Sequence, residues 1–180
     1  MPRFPLILAS ALLALGLASA AQAAGEHALD GTASGKVQKV GFRALILKQA
    51  IQNNLAGTAR NTDEQTVLFS LQGKDKRIQD AVDRLKRGTD KSEDVKIATK
   101  SGPIVPGLHT FTVVGWTSLS RGITHPYDLV FTLRADGSKV SKAGAKQTFC
   151  DILKNTLQPA DWQKAAPRCQ AAGNAGEDAE

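Results

Sequence analysis

The chain has 180 residues and a net charge of +6, with 23 Lys and Arg against 17 Asp and Glu. That length accommodates one principal domain with appendages. The positive excess is moderate, the basic residues are scattered and aromatics make up only 5%, so the composition suits small anions and argues against a nucleic-acid surface.

Arg3, the apolar run from Leu6 to Leu17 and the small residues Ala21 and Ala23 form the three parts of a secretory signal peptide over residues 1–23. The apolar run falls short of the roughly 20 residues of a membrane span. No Cys lies near the cut, so the mature chain is expected in the periplasm or secreted, with no membrane anchor. Cys150 and Cys169 are the two cysteines, and in an exported chain they most simply form one disulfide. Neither a C-x-x-C spacing nor a His pair accompanies them, so no metal and no cofactor are expected.

Residues 26–37 alternate in character, with Leu29, Gly31, Ala33, Gly35 and Val37 on one side, which predicts a strand. From Phe42 the period changes: Leu47, Ala50, Ile51 and Leu55 share a helical stripe, and Asn53 and Asn54 suit the left-handed end of a helix. Residues 57–61 and 66–72 read as two strands joined by a turn at Thr62 to Gln65, and Gly73 is expected to end the second. Asp75 is the expected N-cap of a second helix with Ile78, Ala81, Val82 and Leu85 as its buried stripe and Gly88 just past its end. Two segments compete for the next strand. Residues 111–116 are richer in β-branched and aromatic residues than residues 95–98 and are preferred. Residues 127–133 form a further strand, and Phe149, Ile152, Leu153 and Leu157 mark one more helix. From about Gln170 the chain is rich in Ala, Gly and acidic residues and reads as disordered.

This order predicts an α+β fold, a ferredoxin-like βαββαβ sandwich with two helices on one face of an antiparallel sheet and a C-terminal helical extension. Within it one stretch points to chemistry. Gly35 to Arg43 is a turn whose amides can converge on an anion, closed by an arginine at the start of a helix, where the helix dipole adds positive charge and the guanidinium offers a bidentate fork.

The same residues resemble the first signature of the acylphosphatase family, met by Gly35, Val37, Gln38, Val40, Phe42 and Arg43, with Lys39 where the family has Gly. Gly57, Ala59, Arg60, Asn61, Val67 and Gly73 match the second signature, with Thr58 in place of an aromatic and Gln65 in place of a hairpin Gly. The resemblance places the family domain over residues 24–135 with an insertion at about 92–108, followed by an extension at 136–169 and a tail at 170–180. It implies an acylphosphatase, a hydrolase that cleaves a carboxyl–phosphate anhydride to carboxylate and phosphate without metal or cofactor. By the same resemblance, the amides of Gln38, Lys39, Val40, Gly41, Phe42 and Arg43 cradle the phosphoryl oxygens. Arg43 holds those oxygens bidentately, and Asn61 orients the attacking water. The implied partner is a small-molecule acyl phosphate or another phosphate-bearing anion, and a monomer is expected. Were the position of Lys39 to require positive φ, lysine would cost about 1 kcal/mol there.

His27, His109 and His125 are scattered and are read as surface or loop residues. The competing reading is a non-catalytic anion-binding or interaction domain on the same scaffold. An RNA-binding module on this topology would need an aromatic stacking pair that these strands lack.

Overall fold

The computed structural model describes residues 25–174. The expected leader at 1–23 and the last six residues lie outside them. Six strands form one mixed sheet in the order β4-β1-β3-β2-β5-β6. In chain order these are β1 (Glu26–Lys36), α1 (Phe42–Asn53), β2 (Ala56–Asn61), β3 (Val67–Lys74), α2 (Asp75–Lys86), β4 (Glu93–Ser101), β5 (Thr110–Ser118), β6 (Ile123–Thr132), α3 (Lys142–Thr156) and α4 (Pro159–Asn174). A 3-10 turn, Leu119–Arg121, joins β5 to β6.

The ferredoxin-like core is as expected. β1 pairs antiparallel with β3 and β4, and β2 pairs antiparallel with β3. The fourth strand is a correction. It is β4, built around residues 95–98, whereas residues 111–116 lie in β5, which runs parallel to β2, and residues 127–133 belong almost wholly to β6. Residues 92–108 therefore do not form an insertion between sheet strands; they carry one. β4 sits at a sheet edge, where only one neighbour and partial cover are needed, so charged residues are tolerated and strand propensity is low. β5 lies inside the sheet with Phe111, Val113 and Trp116 buried, which explains why its residues look more strand-like. Pro126 in β6 is consistent with the opposite edge.

One sheet face carries the core. Val67, Phe69 and Leu71 of β3 share it with Phe111, Val113 and Leu129, all essentially buried. α1 lies on that face between α2 and α3 and is buried almost all round, Gln49 included. Its apolar stripe is complete: Leu47, Ala50, Ile51 and Leu55 are fully buried, and each large member stabilises by roughly 1.5–3 kcal/mol. Asn54 ends α1 at φ 54°, with the Leu55 amide donating to the Ala50 carbonyl at 2.9 Å, a Schellman closure.

Three smaller expectations shift. Gly73 does not end β3, which runs on to Lys74. Lys74, not Asp75, caps α2; Asp75 is the first helical residue and complements the dipole from there. The extension holds two helices instead of one, and α4 continues through Asn174, so residues 170–174 are helical. Pro159 suits a first helical turn, alanines favour the helix, and Cys169 is bonded to Cys150 of α3 with Cα atoms 5.7 Å apart. Ala145, Phe149, Leu153, Leu157 and Ala165 of the extension join the same core cluster as the sheet. No helix of the described residues is long and apolar enough to cross a membrane.

Candidate functional site

The end of β1 is forced into a turn by close packing. A Cβ on Gly35 would lie 2.3 Å from the Asp94 carbonyl oxygen of β4, and its φ is +96°. Only glycine meets both conditions. The chain then turns through residues 37–41 into α1. Lys39 has φ 61° and Gly41, the N-cap of α1, has φ 79°. The two left-handed residues leave the amides here unsatisfied by the fold: among the described residues, those of Gln38 to Ala44 have no backbone partner, and Leu45 is the first helical residue to donate, to the Gly41 carbonyl. These are the orphan donors expected at a helix start, gathered on one turn.

The turn is held in place by side chains that sequence reasoning assigned no such duty. Gln38 Nε2 donates to the carbonyls of Thr62 and Thr66 at 2.8 and 2.9 Å, tying the turn to the β2–β3 hairpin. The Thr89 hydroxyl donates to the Val40 carbonyl at 3.0 Å from the loop after α2. A Gln beside a turn carries no sequence signal for either role.

Arg43, in the first turn of α1, reaches across to β5. Its Nη1 donates to the carbonyls of Val114 and Gly115 at 2.9 and 2.7 Å, and the Gly115 amide donates to the Asp128 carboxylate at 2.8 Å. The Nε and Nη2 edge has no hydrogen bond among the described residues, so a two-donor fork remains open. Burial lowers the arginine's pKa, yet a guanidinium stays charged at any working pH.

Asn61 ends β2 and is one of the residues lining the same cleft as Arg43 and the turn. Its Oδ1 is buried and has no hydrogen-bond partner among the described residues. A buried amide oxygen left unpaired costs free energy on the order of 1–3 kcal/mol, and a water or a ligand in the cleft would remove that cost. The cleft has a volume of about 1400 Å³ and runs from the turn along α1 to α3. None of the three histidines lines it. Among the described residues no cluster of His, Cys, Asp or Glu could hold a metal ion.

The second family departure also lies in left-handed backbone: Gln65, in the β2–β3 turn, has φ 60°. Both positions where this chain departs from a family Gly, Lys39 and Gln65, thus keep the conformation that glycine would adopt most readily.

The sequence model of the acylphosphatase family matches residues 22–113. The chain belongs to the acylphosphatase family. It is 31% identical over 80 residues to the acylphosphatase of Bacillus subtilis, an alignment covering 44% of this chain and 88% of that relative. It is 30% identical over 81 residues to the acylphosphatase of Chlorobaculum tepidum, covering 45% and 88%. The crystal structure of acylphosphatase from Bacillus subtilis superimposes with a TM-score of 0.46 at 30% identity, covering 48% of this chain and 97% of that one. The family match ends within β5, so β6, α3 and α4 lie beyond it.

Proposed function

We propose that this protein hydrolyses a carboxyl–phosphate anhydride to a carboxylate and inorganic phosphate. The reading is carried by one observation: the unpaired, buried Oδ1 of Asn61 shares a cleft with the open fork of Arg43 and the unpartnered amides of the 38–44 turn. In this mechanism the amides of Gln38 to Arg43 and the Nε–Nη2 edge of Arg43 bind the phosphoryl oxygens. Asn61 Oδ1 accepts a hydrogen bond from a water and aims its oxygen at phosphorus. The new P–O bond forms as the P–O bond to the acyl group breaks, the carboxylate leaves with the electron pair, and the water's protons pass to phosphate and solvent. A carboxylate is a good leaving group, so a loose phosphoryl transfer of this kind asks the protein mainly for positioning and charge.

The second reading, an anion-binding domain without catalysis, is favoured by Lys39, whose side chain stands where the family has glycine. One assay separates the two. Wild type should hydrolyse benzoyl phosphate, and Asn61→Ala should lose about 100-fold or more in kcat while both bind orthophosphate by calorimetry. A wild type that binds orthophosphate but matches the spontaneous rate of hydrolysis ends the catalytic reading. Export from the cytosol remains part of the proposal. The Cys150–Cys169 bridge supports it, because such bonds persist in oxidising compartments.

A further inference from the structure

The cleft is far more cationic than the chain. Its lining holds eleven Lys and Arg residues against two Asp. One of those acids, Asp80, is already paired with Lys76 and Lys139. Beyond the turn, four half-buried cations converge from four separate elements: Lys48 from α1, Arg84 from α2, Arg121 from the 3-10 turn and Lys146 from α3. Lys48 and Lys146 have no hydrogen bond or ion pair among the described residues. Arg121 spends Nη1 on the Ser118 hydroxyl, while its Nε is buried and without a partner.

Burial lowers the pKa of Lys48, and the positive charges of Lys146, Arg84, Lys142 and Arg121 lower it further. Gathering like charges on partly desolvated ground works against folding. Among the described residues, none of these four is ion-paired with a carboxylate. An anionic ligand would reverse the sign of that interaction and would satisfy the orphaned Arg121 Nε.

We propose that this cationic wall binds a second anionic group of the substrate, so that the preferred acyl phosphate carries a further carboxylate or phosphate on its acyl part. This rests on the hydrolytic reading above and names its substrate class. Lys48 lies five residues after Arg43 on α1, about 7.5 Å along the helix axis and about 140° around it, so a substrate that reaches both cations needs its two anionic groups at least several bonds apart. Arg121 and Lys146 lie beyond residue 113, outside the family match, while Lys48 and Arg84 lie within it, so the wall joins the family domain to the added elements of this chain.

The test uses inorganic tripolyphosphate and orthophosphate as binding probes and succinyl phosphate and benzoyl phosphate as substrates. In calorimetry at fixed ionic strength, wild type should bind tripolyphosphate about tenfold or more tightly than orthophosphate, a gain of the size of a charge-assisted contact. The double variant Lys48→Gln, Lys146→Gln should lose that preference while keeping its orthophosphate affinity and its circular dichroism spectrum. Arg121→Gln should reduce the preference on its own. With substrates, the double variant should raise KM for succinyl phosphate and leave benzoyl phosphate turnover unchanged. A double variant that retains the tripolyphosphate preference, or a wild type that shows none, overturns the proposal. A wild type that shows the preference but hydrolyses neither substrate overturns the hydrolytic reading instead and leaves a polyanion-binding cleft.

Discussion

Arg43 Nη1 donates to the Gly115 carbonyl at 2.7 Å, joining the first turn of α1 to the middle of β5. Gly115 has φ +63° at a break in the β5–β6 register, and its amide is held by Asp128. A Cβ there would lie 4.0 Å from Arg43 Nη1, an ordinary contact, so Gly115→Ala is opposed by backbone strain and not by collision. The variant should lose about 1 kcal/mol in urea unfolding. Because the carbonyl that aims Arg43 moves with the strained backbone, orthophosphate binding should weaken as well. Unchanged binding in a destabilised variant would show that Gly115 does not orient the guanidinium.

Lys39 occupies left-handed backbone at φ 61° on the turn proposed to cradle phosphate. Lys39→Gly should raise stability by about 0.5–1 kcal/mol, since relief of the side-chain strain exceeds the entropy that glycine adds to the unfolded chain. Orthophosphate binding should persist, because the turn offers backbone N–H groups. The lysine charge contributes only attraction from an exposed position. A lower stability in Lys39→Gly would mean that the side chain makes a compensating interaction.

The Cys150–Cys169 bridge closes a loop of 19 residues between α3 and α4. Replacing both cysteines by alanine should cost about 3 kcal/mol in the chain-entropy account of cross-links. Both cysteines lie among the residues that line the cleft. Loosening α4 should therefore affect the extension more than the turn, and hydrogen exchange should rise in α4 before it rises in α1. Equal protection loss in both helices would show that the extension and the sheet unfold as one unit.

Asp161, in the first turn of α4, accepts from Lys164 Nζ at 2.7 Å and from the Tyr127 hydroxyl at 2.8 Å. The Lys164 contact first, and then the tyrosine, lower its pKa below the usual carboxylate value. A depressed folded-state pKa adds stability that is present above the unfolded value, about 3.9. That stability is lost as pH falls through the folded value. Wild type should therefore be more stable than Asp161→Asn at neutral pH, and the gap should close as the pH falls below about 4. A gap that stays constant with pH would assign the effect to packing in place of charge.

Several features were readable from residue order because they depend on neighbours in the chain. The change from alternation to a helical stripe at Phe42, the left-handed end at Asn54 and the α2 stripe of Ile78, Ala81, Val82 and Leu85 are local, and each stands in the structure. The turn from Gly35 to Arg43 was readable for the same reason. The fourth strand was not. Whether residues 95–98 or 111–116 lie beside β1 depends on sheet order, and an edge strand needs so little burial that its residues do not announce it. Gln38 gave no sign of its two hydrogen bonds to the β2–β3 hairpin, because their partners are backbone carbonyls that any sequence would supply.

By itself, the sequence determined the family, the ferredoxin-like fold class, the turn from Gly35 to Arg43 that opens a helix and the pairing of two cysteines. These follow from local periodicity, from short spacings and from there being just two cysteines to join. Only the tertiary structure decided that Arg43 and Asn61 share one cleft, that Asn61 keeps an unpaired oxygen there, and that Lys48, Arg84, Arg121 and Lys146 line its far end. Those four cations come from elements spread over about a hundred residues. Their mutual repulsion exists only once α2, α3 and the 3-10 turn have come together with α1.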